Sequence, residues 1–213
     1  MDRSKRAKTL WLDVETTGTN PCRNDIVQLA GMVEVGGEVA AEFDLRCRPF
    51  DEEAIEPGAL AATGLTREEM LSFPDPEEAH GKLLAVLEAH CDKYDRSDKF
   101  VVAGYNVKFD VDFLFQWFKK CGDPYCGSWL NGKRVDPLPV AHWLDYLGVL
   151  SLPDYKLVTL ARHFGIEFDA HDAMNDIRAT RDVMEKVRGL AARAFYDLVA
   201  EPAGACECEE ARV

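Results

Sequence analysis

The chain has no hydrophobic run that approaches membrane-spanning length, and its first eight residues, though basic, lack the apolar segment of a secretory signal. A soluble, cytoplasmic protein with no membrane partner is expected. It also lacks a Cys-x-x-Cys pair and any zinc-knuckle spacing. Its seven cysteines, at 22, 47, 91, 121, 126, 206 and 208, are odd in number and scattered, which points to reduced thiols rather than a disulfide framework or a zinc site. Positive charge is scarce: 25 Lys and Arg stand against 38 Asp and Glu, a net charge of -13. That balance argues against a broad basic surface for long duplex DNA, whose non-specific affinity comes from neutralised phosphates. A few local contacts to a short strand end remain compatible with it. Repeats, low-complexity tracts and long linkers are missing too, so 213 residues, 47 % of them hydrophobic, are expected to form one domain. The expected boundaries are a basic tail over 1–8, the domain over 9–201 and an acidic tail over 202–213.

What is present begins with Thr9-Leu-Trp-Leu-Asp13-Val-Glu15-Thr16-Thr17-Gly18, a hydrophobic run that carries two carboxylates before it ends in a turn. Burying unpaired carboxylates is expensive, so a cation or a hydrogen-bond network belongs there. Residues two apart on a strand share a face, which puts Asp13 and Glu15 together if the strand persists through Glu15. Two hard oxygen donors suit Mg²⁺ or Mn²⁺ rather than zinc. Alone, Asp-x-Glu is weak evidence, since such triplets are common on solvated edges and turns.

Further along, Ile26 to Val35 and Val39 to Cys47 flank Gly36-Gly37, a hairpin signal that makes a three-strand antiparallel start. Pro49 and Pro57 bracket a loop or short helical turn. Thr66 and Glu69 have capping-box spacing and predict a short helix. Glu77 to His90 carries apolar residues at helical intervals. Phe100 to Ala103 reads as a short buried strand, followed by a helix with Val111, Leu114, Phe115 and Phe118 inward. A strand is expected within Trp129 to Asp136. Helices are expected over Val140 to Leu147, Leu157 to Phe164 and Ala173 to Val199, with Asp172 as the N-cap of the last. The pattern is an α/β fold, a mixed sheet with helices on both faces.

Two more acidic positions fall at helix starts. Asp110 lies in Asn106-Val-Lys-Phe109-Asp110, and Asp176 lies in His171-Asp-Ala-Met-Asn-Asp176. Helix starts favour carboxylates for purely electrostatic reasons, and a loop histidine is usually just solvated. Taken in order, however, Asp13-Val-Glu15-Thr16-Thr17-Gly18, Asn106-x-x-Phe109-Asp110 and His171-x4-Asp176 resemble the three motifs of the DEDD exonucleases in the subgroup with a histidine. That group includes the DnaQ-like proofreading subunits and ribonuclease T. The resemblance covers about residues 9 to 190 and includes Thr63-Gly-Leu65-Thr66, similar to the family's substrate loop.

The resemblance implies a ribonuclease H-like five-stranded mixed sheet whose first three strands are antiparallel. It implies 3′–5′ exonuclease activity with two divalent metal ions, Mg²⁺ or Mn²⁺, held by Asp13, Glu15, Asp110 and Asp176, and His171 as general base. The Thr16-Thr17-Gly18 turn would approach the terminal nucleotide, Leu65 would lie against its base, and Asn106 and Phe109 would line the pocket. Ordinary core packing is the competing account of Leu65 and Phe109. The implied partner is a nucleic acid with a 3′ end, single-stranded DNA or RNA. A polymerase partner or an oligoribonuclease-like role in RNA trimming are the alternatives. The chain departs from many members at Tyr105 and Thr63, where they carry histidine, and this bears on substrate grip rather than on the carboxylates.

Overall fold

The computed structural model of the protein describes residues 8–169 and 172–200. His171 and the expected tails, Lys8 apart, lie outside them. Five strands, β1 (Lys8–Thr16), β2 (Ile26–Val35), β3 (Glu38–Arg46), β4 (Phe100–Ala103) and β5 (Leu130–Val135), form one sheet in the order β3-β2-β1-β4-β5. β1, β2 and β3 pair antiparallel, while β4 runs parallel to β1 and β5 parallel to β4. Gly36 and Gly37 close the β2–β3 hairpin at φ 66° and 93°, the pair of positive φ values that a two-residue turn matching strand twist requires.

Seven α-helices lie among the described residues: α1 (Pro57–Thr63), α2 (Arg67–Ser72), α3 (Pro76–His90), α4 (Lys108–Lys120), α5 (Pro137–Tyr146), α6 (Leu157–His163) and α7 (Ala173–Ala200). Both arms of the capping box of α2 form, with the Thr66 side chain accepting from the Glu69 amide and Glu69 accepting from that of Thr66. The sequence does not predict α1, because Pro57 reads as a loop boundary. Proline is nevertheless well placed at the first helical position, where the missing N–H is not needed. For the same reason α5 starts at Pro137, earlier than its apolar spacing suggests. None of the described helices is long and apolar enough to cross a membrane.

The alternation of β1 sorts its residues between two cores. Leu10, Leu12 and Val14 join a cluster with Leu83 and Leu87 of α3 and Val111, Phe113, Leu114, Trp117 and Phe118 of α4. Trp11 instead packs with Ala30, Met32, Ala103 and, from α7, Ala173 and Ile177. In α4 the buried arc is wider than predicted: Phe113 and Trp117 are enclosed, while Phe115 is only half-buried. Helices α5 and α6 pack on the later turns of α7 through Leu144, Leu160, Val183 and Val187. The described cysteines, 22, 47, 91, 121 and 126, carry no disulfide.

Candidate active site

Strand β1 is longer than the parallel neighbour beside it. β4 ends at Ala103, opposite Trp11, so Leu12 to Thr16 run on past it with only β2 alongside. The strand persists through Glu15, and a register shift falls between Glu15 and Thr16. Asp13 and Glu15 share the parity of Trp11 and therefore the face covered by α7. The turn that follows is fixed from inside. Thr17 is fully buried, its amide donates to the Asp25 carbonyl at 2.9 Å, and its hydroxyl accepts from the Asp25 amide at 2.9 Å. The Thr16 hydroxyl donates to the Gly18 carbonyl at 2.7 Å. Gly18 has to be glycine because a Cβ there would stand 2.4 Å from the Asn24 side chain.

The other two carboxylates arrive from helix starts. Asp110, in the first turn of α4, is 4 % exposed and accepts from the Val14 amide at 3.0 Å. The helix can come this close because the loop after β4 begins with Gly104, where a Cβ would lie 2.6 Å from the Leu12 carbonyl oxygen. Asp172 caps α7, accepting from the Asn175 amide at 2.9 Å. Asp176 follows on the first turn, on the helix that lays Ala173 and Ile177 against Trp11. The structure thus brings Asp13, Glu15, Asp110 and Asp176 into one electrostatic neighbourhood.

The neighbourhood is strained by its charge. Asp13 keeps some surface exposure yet lies deep in the protein mass. Its carboxyl is held well above the usual carboxylate range, first by burial and then by Asp110, Glu15 and Asp176. Burial likewise pushes Asp110 upward, against the opposing hydrogen bond from Val14, with Asp136 and Glu15 raising it further. Among the described residues no salt bridge reaches Asp13 or Asp110. Nor do three His, Cys, Asp or Glu side chains among them stand in a ready-made metal-holding group. The fit to divalent cations is one of chemistry: hard oxygen donors gathered where burial and like charge hold the Asp13 and Asp110 carboxyls up.

Beside the carboxylates opens a cleft of about 360 Å³ lined by Val14, Glu15, Thr16, Gly18, Thr19, Glu56, Gly58, Ala59, Ala62, Thr63 and Phe109. Its floor is the end of β1, its far wall the small residues of α1, and its near wall the ring of Phe109, which leans on Phe113 with centroids 4.8 Å apart. Thr17, Leu65 and Asn106 are not among the lining residues. Leu65 packs half-buried over Val27, Ile55 and Met70. Asn106 is exposed at the β4–α4 loop, and the Tyr105 hydroxyl beside it donates to the Tyr155 carbonyl. The α1 wall was hidden because its helix was; the signal was Pro57 followed by small residues at 58, 59 and 62.

A mixed sheet of this strand order, with acidic residues at the overhanging end of its first strand and helices on both faces, defines the ribonuclease H-like class of fold. The family model described as an exonuclease, of ribonuclease T type, matches residues 10–184. The chain belongs to that exonuclease family. It is 28 % identical over 212 residues to exodeoxyribonuclease I of Escherichia coli K12, a match covering 91 % of this chain and 42 % of that one. It is 30 % identical over 173 residues to a PolC-type DNA polymerase III of Thermotoga maritima, covering 81 % of this chain and 11 % of the polymerase. The crystal structure of E. coli exonuclease I with a dT13 oligonucleotide superposes with a TM-score of 0.73 at 28 % identity, over 91 % of this chain and 44 % of that one. The chain thus spans less than half the length of these relatives.

Proposed function

We propose that this protein is a 3′–5′ exonuclease that hydrolyses phosphodiester bonds at the 3′ end of single-stranded or frayed DNA and releases nucleoside 5′-monophosphates. The observation that carries the reading is the convergence of Asp13, Glu15, Asp110 and Asp176, from three separate elements, beside a cleft of nucleotide size. These four carboxylates would hold two divalent ions, Mg²⁺ or Mn²⁺. When bound, such ions neutralise phosphoryl charge, acidify water and stabilise the departing oxyanion.

The remaining work falls to the chain. Phe109 offers an aromatic face and α1 offers small side chains, a combination that accepts any base because every base has a π face. Thr16 and Gly18 line the cleft and would approach the terminal nucleotide, while Thr17, buried beneath them, holds the turn. Leu65 supports the α1–α2 segment at the rim, and Asn106 reaches from the opposite loop. His171, placed by its motif just ahead of Asp172, takes a proton from the attacking water at a ring nitrogen whose unperturbed pKa lies near neutrality. The E. coli exonuclease I structure with dT13 favours single-stranded DNA as the substrate class, and the net charge of -13 favours short contacts over long duplex tracking.

Degradation of 5′-labelled DNA and RNA, single- and double-stranded, in Mg²⁺, Mn²⁺ or EDTA tests the reading. The expected result is a ladder shortening from the 3′ end of single-stranded DNA, silent in EDTA. Immediate release of labelled mononucleotide, or activity indifferent to EDTA, overturns it. Asp13→Ala and His171→Ala should each abolish turnover, and a near-native rate in either removes that residue from the mechanism. The PolC-type relatives favour a second reading, a proofreading role beside a polymerase. A pull-down of a polymerase catalytic subunit that is lost on deleting residues 203–213 would support it, and unchanged binding would remove the tail from that role.

A further inference from the structure

Between Ala103 and Lys108 the chain must leave the sheet, turn and enter α4 with Asp110 delivered to the site. Asn106 does this at φ 54°, the one positive φ outside glycine among the described residues. Asparagine tolerates that conformation better than most residues but does not choose it unaided. Val107, the next residue, is right-handed at φ -57° and ψ -12°. Successive residues of opposite hand turn their amides to the same side and form a concave anion site, a nest.

An anion occupies this one. The Asp136 carboxylate, at the far end of β5, accepts from the Asn106 amide at 3.1 Å through Oδ1 and from the Val107 amide at 3.0 Å through Oδ2. Its Oδ1 also accepts from the Leu138 amide at 3.0 Å and so caps α5. One side chain ties the start of one helix to the loop that begins another. We propose that Asp136 is a positioning residue for the nuclease site. It fills the nest of the β4–α4 loop, holds Asn106 in its left-handed conformation and so fixes the side of the cleft from which Asn106 meets substrate.

This rests on the exonuclease reading above, yet its two structural roles can be separated. In Asp136→Ser the hydroxyl still caps α5, since serine is a good N-cap, but is too short to fill the nest. In Asp136→Asn an Oδ1 acceptor remains for Asn106 and Leu138, and only the Val107 bond is lost. Asp110 keeps its own anchor on Val14 in both, and both remove the Asp136 charge that acts on Asp110, so what differs between the two variants should fall on binding. With the full chain and a short single-stranded oligonucleotide, Asp136→Ser should raise KM about tenfold, the order of two lost hydrogen bonds, with kcat within about twofold. Asp136→Asn should recover a large part of the loss.

Amide hydrogen exchange gives a readout that does not depend on turnover. Protection at Asn106 and Val107 should fall in Asp136→Ser while that at Leu138 is retained; Asp136→Ala should lose all three. If Asp136→Ser keeps native KM and native protection at 106 and 107, the carboxylate is only a helix cap and the inference fails. If wild-type protein degrades no oligonucleotide while the exchange pattern appears as expected, the exonuclease reading fails and the loop anchor stands.

Discussion

Replacing Asp13 by Asn should make the metal-free protein more stable, although it removes a residue on which the proposed activity depends. Asparagine keeps the shape and one acceptor of the carboxylate and removes only its charge. In the native protein that charge is opposed by burial and by Asp110, Glu15 and Asp176. As a scale, two like charges about 4 Å apart in an effective dielectric of about 20 repel by about 4 kcal/mol, and less at greater separation. The carboxyl escapes part of this by taking up a proton, so a net relief of about 1–2 kcal/mol is a reasonable expectation. For a chain of this size that is a rise in Tm of about 3–6 °C.

The pH dependence fixes the sign. A carboxyl whose folded pKa lies above its unfolded value makes folding take up a proton. Its stabilising contribution is complete below the unfolded pKa, about 4, and disappears as pH rises through the raised folded value. The Asp13 contribution to wild-type stability in EDTA should therefore fade from about pH 4 upward, and Asp13→Asn, which lacks it, should gain on wild type as pH rises. The two melting curves should nearly coincide at pH 4 and separate toward pH 8. Adding Mg²⁺ or Mn²⁺ should reverse the order, since an ion at a hundred times its Kd contributes about 2.7 kcal/mol to whichever protein binds it. Calorimetry across pH 4 to 8 with and without the ion decides it. An Asp13→Asn protein less stable than wild type at pH 8 in EDTA, with a parallel pH slope, would refute the reasoning.

Phe109→Ala should raise KM for a single-stranded oligonucleotide about tenfold, because a base stacked on an aromatic ring gains about 1–3 kcal/mol; steady-state kinetics check it, and unchanged KM would put the nucleotide elsewhere. Gly104→Ala should destabilise by about 2 kcal/mol or more, since the added Cβ meets the Leu12 carbonyl at 2.6 Å and Val107 Cγ2 at 2.9 Å; urea unfolding measures this, and tolerance would mean α4 can withdraw. Lys120→Ala should cost about 3 kcal/mol, because the Asp25 side chain it pairs with at 2.5 Å is fully buried; the same titration would show a loss below 1 kcal/mol if backbone donors alone satisfy Asp25.

The parts of the fold legible in the sequence are those written in local chemistry. Gly36-Gly37 could only be a tight turn, and Thr66 with Glu69 only a helix start, because each signal and its consequence lie within four residues. Asp13 and Glu15 are legible through an incongruity, charge inside an apolar strand, which needs no knowledge of the partner. Helix α1 was invisible because proline marks loop ends and helix starts alike, and only tertiary packing tells which. Asp136 was invisible for a different reason. Its acceptor role is set by amides at 106 and 107, far away in sequence, and an Asp-Pro pair before a helix is fully explained by capping. Thr17 and Leu65 lie in the stretches where the family motifs place them; the Thr17 side chain is spent on the Asp25 amide and Leu65 is half-buried over Met70. Sequence locates a loop, whereas the direction of each side chain depends on what the loop lies against.

The length of one strand explains why the site and the core coexist. β1 contributes Leu10, Leu12 and Val14 to one side and Trp11, Asp13 and Glu15 to the other, so the larger core and the carboxylates are separated by parity. A slip of one residue would exchange the two sets and bury the carboxylates in the larger core. Pairing with β2 over the full length of β1 resists that slip, and pairing with β4 does so only as far as Trp11. Beyond Trp11 the parallel partner is gone, and the space it leaves is where α4 arrives to set Asp110 on the Val14 amide. Had β4 been as long as β1, its own backbone would occupy the position from which Asp110 reaches the strand. The short β4 is therefore as much a part of the site as the carboxylates, and Gly104, which ends it, is the residue that allows the approach.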